Sequence, residues 1–403
     1  MNNKFDVGII GAGVAGAFSA LRIAENYRSA KTIIFDLGRP PGKRRRQLEG
    51  WFGCFPAGDG KIYPGDLEGV LDVVDGRKAR HANSWVMEKF GEVNPMKLIK
   101  DSLPNVATQK KIKEANFNIQ LNSYIQWKPE SIHQLSKIIS EKIEEAGNVQ
   151  FSFDNEVHKI TKKKNMFIIT TAAGEFHCKS IILSVGRSGW RWATALYKEL
   201  GITVNDDVAK YGVRIEMSAQ HLKEFNKSHC TLIREDLEIG PFSWNGTVIP
   251  EDHADLVISA FRSNEERWKS DKVSFSLLSS QHFKDTGVYQ ADRLGKLAFL
   301  LFNDRVSRER VKAVVKNTSQ LCLLPEYAWL GKTLTELEPL IPNLQTRGYF
   351  HIPNILPMAS QIALGTNLES EIDGMFVSGE SAGIKGIAAA AITGTVAADS
   401  ACR

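Results

Sequence analysis

The feature that most constrains the fold lies at the start of the chain, where a glycine-rich turn separates two apolar runs. Residues 6–10 are strand-like, residues 11–16 read G-A-G-V-A-G, and a second apolar run at 31–35 ends at Asp36. This order predicts a βαβ unit that binds the phosphates of a nucleotide. At the end of the second strand, the Asp36 carboxylate is expected to accept hydrogen bonds from both ribose hydroxyls.

Each residue type in the glycine-rich turn has a physical task in such a unit. Gly11 permits the tight turn after the first strand, Gly13 lets the backbone approach a pyrophosphate, and Gly16 lets the helix pack closely on the sheet. Val14 and Ala15 open the helix, whose unpaired amides and dipole favour negative charge. The turn therefore predicts an anion site at the start of this helix.

A basic, glycine-rich loop follows the second strand. The run Arg44–Arg46 is consistent either with a solvated face or with contact to phosphate or substrate. Residues 50–61 include four glycines, at 50, 53, 58 and 60. This density predicts backbone that runs close to a flat ligand or to another stretch of backbone.

The middle of the chain predicts a helix and a return to the nucleotide-binding sheet. Residues 131–146 carry apolar residues at helical spacing, and Gly147 stands where a helix C-cap is expected. Strand-like runs then follow at 149–160, 165–171 and 175–178. They predict a β-meander that leads to a buried strand at 180–186, whose carboxyl end belongs at the ligand crevice of the sheet.

The last part of the chain repeats the pattern of strand, glycine turn and helix. Residues 374–377 are strand-like, Gly379–Gly383 forms a turn that includes Glu380, and an alanine-rich helix extends through Ala398. This order predicts a second turn that binds phosphate or a ring. Residues 66–118 are expected to be helical and irregular, whereas the part around 290–316 is expected to be a charged helical segment.

Composition limits the classes of protein to consider. The 403 residues are 43% hydrophobic and carry a net charge of +5, which fits a soluble globular protein and is weak support for a nucleic-acid partner. The five cysteines have neither disulfide-framework nor zinc-ligand spacing. No signal peptide or membrane span is expected, which favours a cytoplasmic protein, while the oligomeric state is open.

The two ends of the chain together resemble the FAD-binding fold of glutathione-reductase-like flavoproteins. Further segments occur in the order seen in uncharacterised bacterial FAD-dependent dehydrogenases, at 58–61, 185–189, 212–216 and 379–383. The resemblance implies an α/β fold with a Rossmann-like FAD-binding domain, a parallel sheet with a β-meander crossover, and an α+β substrate domain. The FAD-binding domain is expected to comprise residues 1–65, 122–216 and 336–403, and the substrate domain residues 66–121 and 217–335.

The resemblance also implies which residues contact FAD. The pyrophosphate is assigned to the turn at Gly11, Gly13 and Gly16, the adenosine ribose to Asp36, and the adenine to Val157. Glu380 is expected at the ribityl chain or pyrophosphate, with the amides of 383–387 near the pyrimidine edge of the flavin. The complete set of expected cofactor contacts is Gly11, Gly13, Val14, Ala15, Gly16, Asp36, Leu37, Arg44, Gly58, Val157, Gly186, Gly379, Glu380, Ala382, Gly383, Ile384, Lys385, Gly386 and Ile387.

Candidate catalytic residues follow from the same expectation. FAD supplies the redox chemistry, so the protein has to bind it, place a small organic substrate at flavin N5 for hydride transfer and stabilise charge. Asp59 and Lys61 lie in the loop expected along the flavin, where they either contact substrate or form a structural ion pair. Arg187 follows the strand that ends at the crevice. NADH or NADPH is a possible transient electron donor.

Two other functions remain open at this stage. A flavin-dependent monooxygenase or halogenase shares this cofactor domain but uses reduced flavin with oxygen. A flavoprotein that acts on RNA, or a flavin-bound protein without catalysis, has as its only support the lysine-rich stretches at 110–113 and 162–164. A test of oxygen dependence and a salt-sensitive RNA shift would separate these functions.

Overall fold

The computed structural model describes residues 3–44, 47–64, 67–253, 256–356 and 359–403, apart from the side chain of Glu68. The strands are Lys4–Ile10 (β1), Thr32–Phe35 (β2), Lys61–Ile62 (β3), Asn118–Gln120 (β4), Ile125–Gln126 (β5), Val149–Ser152 (β6), Val157–Lys163 (β7), Met166–Thr171 (β8), Gly174–Leu183 (β9), Val204–Asn205 (β10), Val208–Ser218 (β11), Thr231–Arg234 (β12), Leu237–Trp244 (β13), Thr247–His253 (β14), Leu256–Arg262 (β15), Lys272–His282 (β16), Ser307–Arg310 (β17), Tyr349–Ile355 (β18), Gln361–Ile362 (β19) and Met375–Val377 (β20). The α-helices are Val14–Asn26 (α1), Leu67–Leu71 (α2), Gly76–Gly91 (α3), Val106–Glu114 (α4), Pro129–Ala146 (α5), Trp190–Glu199 (α6), Gly287–Leu301 (α7), Val311–Val315 (α8), Trp329–Glu336 (α9), Leu344–Arg347 (α10) and Ile387–Ala401 (α11).

The fold is a mixed α/β fold whose chain divides into two units. Unit 1 comprises residues 1–97, 125–205 and 358–403, and unit 2 comprises residues 98–124 and 206–357. The boundaries differ from the sequence-based expectation in four places. Residues 122–124 and 206–216, which were expected in the FAD-binding domain, belong to unit 2, where β11 lies inside the sheet. Residues 67–97 belong to unit 1, where α3 packs on α11, and residues 336–356 belong to unit 2, where β18 lies inside the sheet.

Unit 1 is built on the predicted nucleotide-binding sheet, in the strand order β6-β2-β1-β9-β8-β7, with β20 paired to β9. Strands β6, β2, β1, β9 and β20 are parallel, and β7 and β8 form the antiparallel meander. The central strands are continuous apolar runs because helices cover the sheet. The carboxyl ends of β1, β9 and β20 therefore come together at one edge.

The βαβ turn has the expected backbone geometry. Gly11 has φ of +98°, and a Cβ there would lie 2.5 Å from the Ser184 carbonyl oxygen. At Gly16 a Cβ would lie 1.9 Å from the carbonyl oxygen of Gly11, so only glycine allows this approach of α1 to β1. The glycine-rich loop runs along other backbone, as predicted, because a Cβ at Gly38 would meet the Gly50 nitrogen at 2.3 Å.

Two predicted boundaries inside this sheet are wrong. The single run expected at 149–160 is two strands, β6 and β7, and β6 pairs with β2 outside the meander. The runs at 175–178 and 180–186 were expected to be separate strands, but β9 is a single strand from Gly174 to Leu183. Its first half alternates between buried and exposed residues beside β8, and its second half is continuously buried between β1 and β20. Because the burial pattern changes along this one strand, its sequence resembles that of two separate strands.

The helix expected at 131–146 is confirmed as α5, which ends at Gly147 in the left-handed conformation with φ of +73°.

The segment expected to be helical at 290–316 is only partly helical. Helix α7 ends at Leu301, and the strand β17 precedes the short helix α8. The charged residues 307–310 pair with β18 at the border of a sheet, which the charge pattern alone does not reveal.

Unit 2 is an antiparallel sheet in the order β17-β18-β11-β16-β13-β12-β4, accompanied by the hairpin β14-β15. Helix α7 packs on β11 and β18, and α8, α9 and α10 pack on one another. The buried core of the unit includes Phe242, Phe275 and Phe350.

Candidate functional site

The candidate site is a cleft in unit 1, at the edge of the sheet where β1, β9 and β20 end. Its wall contains Ile10, Ser184 and Ser378, the last or next residues of these three strands, and its volume is about 460 Å³. Binding at the carboxyl ends of parallel strands is the rule for doubly wound sheets. Two segments more than 360 residues apart in the sequence, around Gly11 and Gly379, thus meet at one cleft.

Two helices begin at this cleft without a cap. Helix α1 starts after Gly13 and α11 after Gly386, and neither helix has a side-chain cap or an acidic residue in its first turn. Gly13, Val14, Gly386 and Ile387 all lie on the cleft wall. Because the first amides of a helix have no partner inside the helix, both starts offer hydrogen-bond donors and a partial positive charge to an anion.

Gly13 is a glycine that the surrounding protein does not require. Its φ is −64°, which any residue adopts, and a Cβ there would have the Gly53 Cα at 3.9 Å as its single neighbour within 4 Å among the described residues. By contrast, Gly11 and Gly16 are held by backbone contacts. The space at Gly13 opens to the cleft, which fits close approach by a ligand.

Asp36 lies where β2 ends, on the cleft wall. Its Oδ2 accepts a hydrogen bond from the Ala12 amide at 2.7 Å, and its Oδ1 accepts from Gly38 at 2.7 Å and Gly50 at 3.0 Å. Burial raises the pKa of this carboxyl, and the three amide donors counteract part of the shift. A carboxylate has about four lone-pair directions, so one remains, on Oδ2. This leaves one acceptor direction for a ligand, whereas the sequence predicted hydrogen bonds from two ribose hydroxyls.

Glu380 and Arg187 form an ion pair on the cleft wall. The Arg187 Nε donates to Glu380 Oε2 at 3.0 Å, and the side chains are 27% and 20% exposed, respectively. Glu380 belongs to the short 3₁₀ helix Gly379–Ala382, and it does not cap α11, whose N-cap residue is Gly386. The pair brings together two side chains that the sequence analysis placed at the site for separate reasons.

Lys61 and Asp59 also form an ion pair, with 2.8 Å between Lys61 Nζ and Asp59 Oδ2. Both side chains are largely buried, at 12% and 13% exposure. Lys61 lies on the cleft wall, whereas Asp59 is not among the wall residues. Asp59 therefore holds a lysine ammonium group at the cleft.

The cleft also contains a buried serine pair that was not predicted from the sequence. Ser184 and Ser378 follow β9 and β20 directly, and their Oγ atoms lie 2.8 Å apart. Their position as the first residue after a central strand is the signal that could have identified them. Other wall residues outside the expected set are Phe35, Leu48, Glu49, Gly53, Cys54, Tyr63, Asn155, Glu156, Val185, Ser188, Gly189, Arg191, Trp192 and Ala390.

Most of the expected cofactor contacts lie on the cleft wall, and some do not. Those on the wall are Gly11, Gly13, Val14, Ala15, Asp36, Leu37, Val157, Gly186, Gly379, Glu380, Gly386 and Ile387. Those off the wall are Gly16, Arg44, Gly58, Ala382, Gly383, Ile384 and Lys385. Arg45 and Arg46, from the basic run, lie outside the described residues.

The local structure explains two of the residues off the wall. Arg44 donates to the carbonyl oxygens of Gln47, Trp51 and Gly53, so it organises its own loop, and burial lowers its pKa. The amide of Gly383 donates to the Glu380 carbonyl oxygen at 2.9 Å. That amide is thus used inside the turn, although the flavin edge was its expected partner.

Among the described residues, no group of three or more His, Cys, Asp and Glu side chains is arranged to hold a metal ion. None of the described helices has the length and apolar character needed to cross a membrane.

Comparison with known proteins gives similarity to solved structures alone. No family model and no curated protein matches the chain. Glycine oxidase from Geobacillus kaustophilus is 14% identical with a TM-score of 0.45, covering 98% of this chain and 94% of that one. PqsL from P. aeruginosa, in complex with 2-aminobenzoylacetate, is 12% identical with a TM-score of 0.42, covering 99% and 86%. CtdE in complex with FAD is 13% identical with a TM-score of 0.39, covering 96% and 82%. At these TM-scores, the similarity assigns neither a family nor a function to this chain.

Proposed function

We propose that the unit 1 cleft binds FAD and that the protein is an FAD-dependent oxidoreductase acting on a small organic substrate. The observation that carries the proposal is the meeting of two uncapped helix starts, those of α1 and α11, at one cleft that also contains Asp36. A single mononucleotide needs one such helix start. Two starts and a ribose-binding carboxylate suit an extended dinucleotide with a pyrophosphate and a second electron-rich group.

The residues of the cleft fit such a ligand. The first amides of α1 would bind the pyrophosphate, with the space at Gly13 allowing its approach. Asp36 would accept one hydroxyl of the adenosine ribose through Oδ2, and Val157 would lie at the adenine. Glu380 would accept a hydrogen bond from the ribityl chain, while the start of α11 would stabilise negative charge on the flavin ring.

FAD supplies the redox chemistry when it is bound, and hydride transfer at flavin N5 is the proposed reaction. The chain itself has to orient the substrate and exclude water. Lys61 is the proposed substrate contact, because Asp59 holds its ammonium group in place at the wall. Arg187 would position Glu380 and attract an anionic substrate group.

The test of the activity is anaerobic mixing of the FAD-loaded protein with NADH, NADPH and candidate metabolites, followed by the loss of flavin absorbance. We expect at least one of these reductants to bleach the flavin, and Lys61→Met to slow bleaching by the substrate while FAD stays bound. Lys210→Met is the matched control, since Lys210 forms a comparable pair with Glu238 at 3.1 Å in unit 2.

The outcome also separates the proposal from its alternatives. Failure of every reductant to bleach bound flavin would contradict the oxidoreductase. Product formation that requires reduced flavin together with oxygen would support a monooxygenase or halogenase instead. A salt-sensitive RNA shift without flavin turnover would support the RNA-binding alternative.

A further inference from the structure

A second concave site lies in unit 2, on the sheet between β11 and β17. It is a pocket of about 390 Å³ whose wall includes Arg308, Arg310, Arg347, Lys272 and Tyr349, and we call it the arginine pocket. Glu216, Met217, Ser218, Gln220 and His221 complete the wall. None of these wall residues belongs to the cleft wall of unit 1.

The strand register explains why these side chains meet. Arg310 pairs with Tyr349, and Tyr349 pairs with Glu216, so the three side chains form a row on one face of the sheet. Arg308 and His351 pair in the next row of the same face. On the other side of the first row, Ser218 of β11 pairs with Lys272 of β16. Because partners in an antiparallel register share a face, the cluster is a product of the fold rather than of loop conformation.

Arg308 is fixed in place from two sides. Its Nη2 donates to Glu216 Oε1 at 2.9 Å and its Nε to the same oxygen at 3.2 Å, while its guanidinium carbon lies 3.5 Å from the ring centroid of Tyr349. Burial alone would raise the pKa of Glu216, but His351 and Arg308 outweigh it and lower that pKa, so Glu216 is ionised. An arginine held in this way is preorganised to bind an anion.

The neighbouring arginines, Arg310 and Arg347, have no acidic partner in the described part of the chain. No Asp or Glu oxygen among the described residues lies within 4 Å of the guanidinium groups of Arg310 or Arg347, and Arg310 lies 4.9 Å from the Tyr349 ring centroid. Lys272 pairs with Asp271 at 3.1 Å. Three arginines and one lysine set against Glu216 and Asp271 leave a net charge of +2, because four positive charges face two negative ones.

We propose that the arginine pocket binds the phosphate group of a small molecule. A net charge of +2 matches a phosphate dianion, and planar guanidinium groups with several donors match its oxygens better than they match a monocarboxylate. The alternative, a solvated basic surface, does not account for the concave shape or for an arginine fixed between a buried carboxylate and an aromatic ring.

The experiment is a calorimetric titration with inorganic phosphate at constant ionic strength, with excess FAD present so that phosphate does not compete at the unit 1 cleft. We expect Arg310→Gln/Arg347→Gln to weaken phosphate binding by about tenfold or more, since each arginine contributes charged hydrogen bonds. The matched control is Arg267→Gln/Arg305→Gln, which removes the same charge from other exposed positions of unit 2 and should bind like the wild type.

Further ligands identify the source of the phosphate. Tighter binding of AMP than of inorganic phosphate would indicate a phosphomonoester, and the reverse order would indicate free phosphate, with either result supporting the site. Absence of phosphate binding, equal binding by the two double variants, or malonate binding as tight as that of phosphate would overturn the proposal.

Discussion

Gly13 and Gly16 are three residues apart and meet different physical demands. A Cβ at Gly16 would lie 1.9 Å from a backbone oxygen, so this glycine is required by packing. A Cβ at Gly13 would meet the described residues only at 3.9 Å, so their packing does not require this glycine, whereas the proposed ligand does. The sequence motif contains glycine at both positions, and only the structure shows that their roles differ.

This distinction predicts opposite effects of Gly13→Ser and Gly16→Ala on the stability of the apo protein. In Gly13→Ser the introduced hydroxyl could cap the amides of α1, so the apo protein should be as stable as the wild type or gain up to about 1 kcal/mol, while FAD affinity falls because the side chain fills the space for the pyrophosphate. Gly16→Ala should instead destabilise the apo protein by about 1–3 kcal/mol through overpacking. Thermal unfolding of the apo forms and FAD titration measure both quantities. Full FAD affinity in Gly13→Ser would show that the turn is purely structural.

Glu380 provides the second prediction at this scale. If it accepts a hydrogen bond from FAD, Glu380→Ala should weaken FAD binding by about 1.5–3 kcal/mol, or roughly ten- to a hundredfold. Arg187→Gln is the companion variant, because it breaks the same ion pair while Glu380 remains. If the ion pair is purely structural, the two variants should lose the same amount of apo stability and keep the wild-type FAD affinity. Both quantities are measured on the same samples.

Several elements were predictable because local sequence alone determines them. Helix α5 has a strong apolar period and an αL glycine at its end, and it was placed within two residues of its observed start. Strand β9 was divided wrongly because its neighbours change along its length, and β17 was missed because its charged residues carry no strand pattern. In both cases long-range pairing, which no local window contains, determines the structure.

The close packing of α1 on α11 predicts a sensitive position at Gly394. A Cβ there would lie 2.1 Å from the carbonyl oxygen of Ala15, and Ser19 donates to the Gly394 carbonyl oxygen at 2.8 Å. Gly394→Ala should therefore destabilise unit 1 by about 1–3 kcal/mol and weaken FAD binding, because both helix starts line the cleft. Gly91→Ala, also in a helix but with open space around it, should be neutral or slightly stabilising in the same denaturant unfolding measurement.

At the scale of the whole chain, the sequence indicated the unit 1 sheet and the meeting of its two distant ends. It did not indicate that residues 67–97 belong to unit 1 and residues 206–216 and 336–356 to unit 2, because packing of α3 on α11 and pairing of β11 with β16 and β18 decide these assignments. The candidate site, too, was only partly predictable from the sequence. Motif positions such as Gly11, Asp36 and Gly379 were identified, whereas Ser184 and Ser378 depend on the adjacency of β9 and β20.

Unit 2 should show a pH dependence that arises from Glu216. Its pKa lies below the ordinary value of 4.5, so its stabilising contribution is present above that value and is lost as the pH falls through the lowered pKa. Relative to Glu235→Gln at an exposed position, Glu216→Gln should lower the stability of unit 2 at neutral pH. It should also make the further loss of stability at acid pH smaller. Thermal unfolding across this pH range measures both effects. An unaltered acid slope in Glu216→Gln would contradict the assigned role.

The most direct test of the central claim is a titration of the apo protein with FAD, FMN and riboflavin, monitored by quenching of flavin fluorescence. In the proposed site the two helix starts and Asp36 together select a dinucleotide, so FAD should bind with a stoichiometry of one and about a hundredfold or more tighter than FMN, which lacks the adenosine half. FAD released from the purified protein should be intact and non-covalent. Equal affinities for FAD and FMN, or no binding of either, would contradict the account.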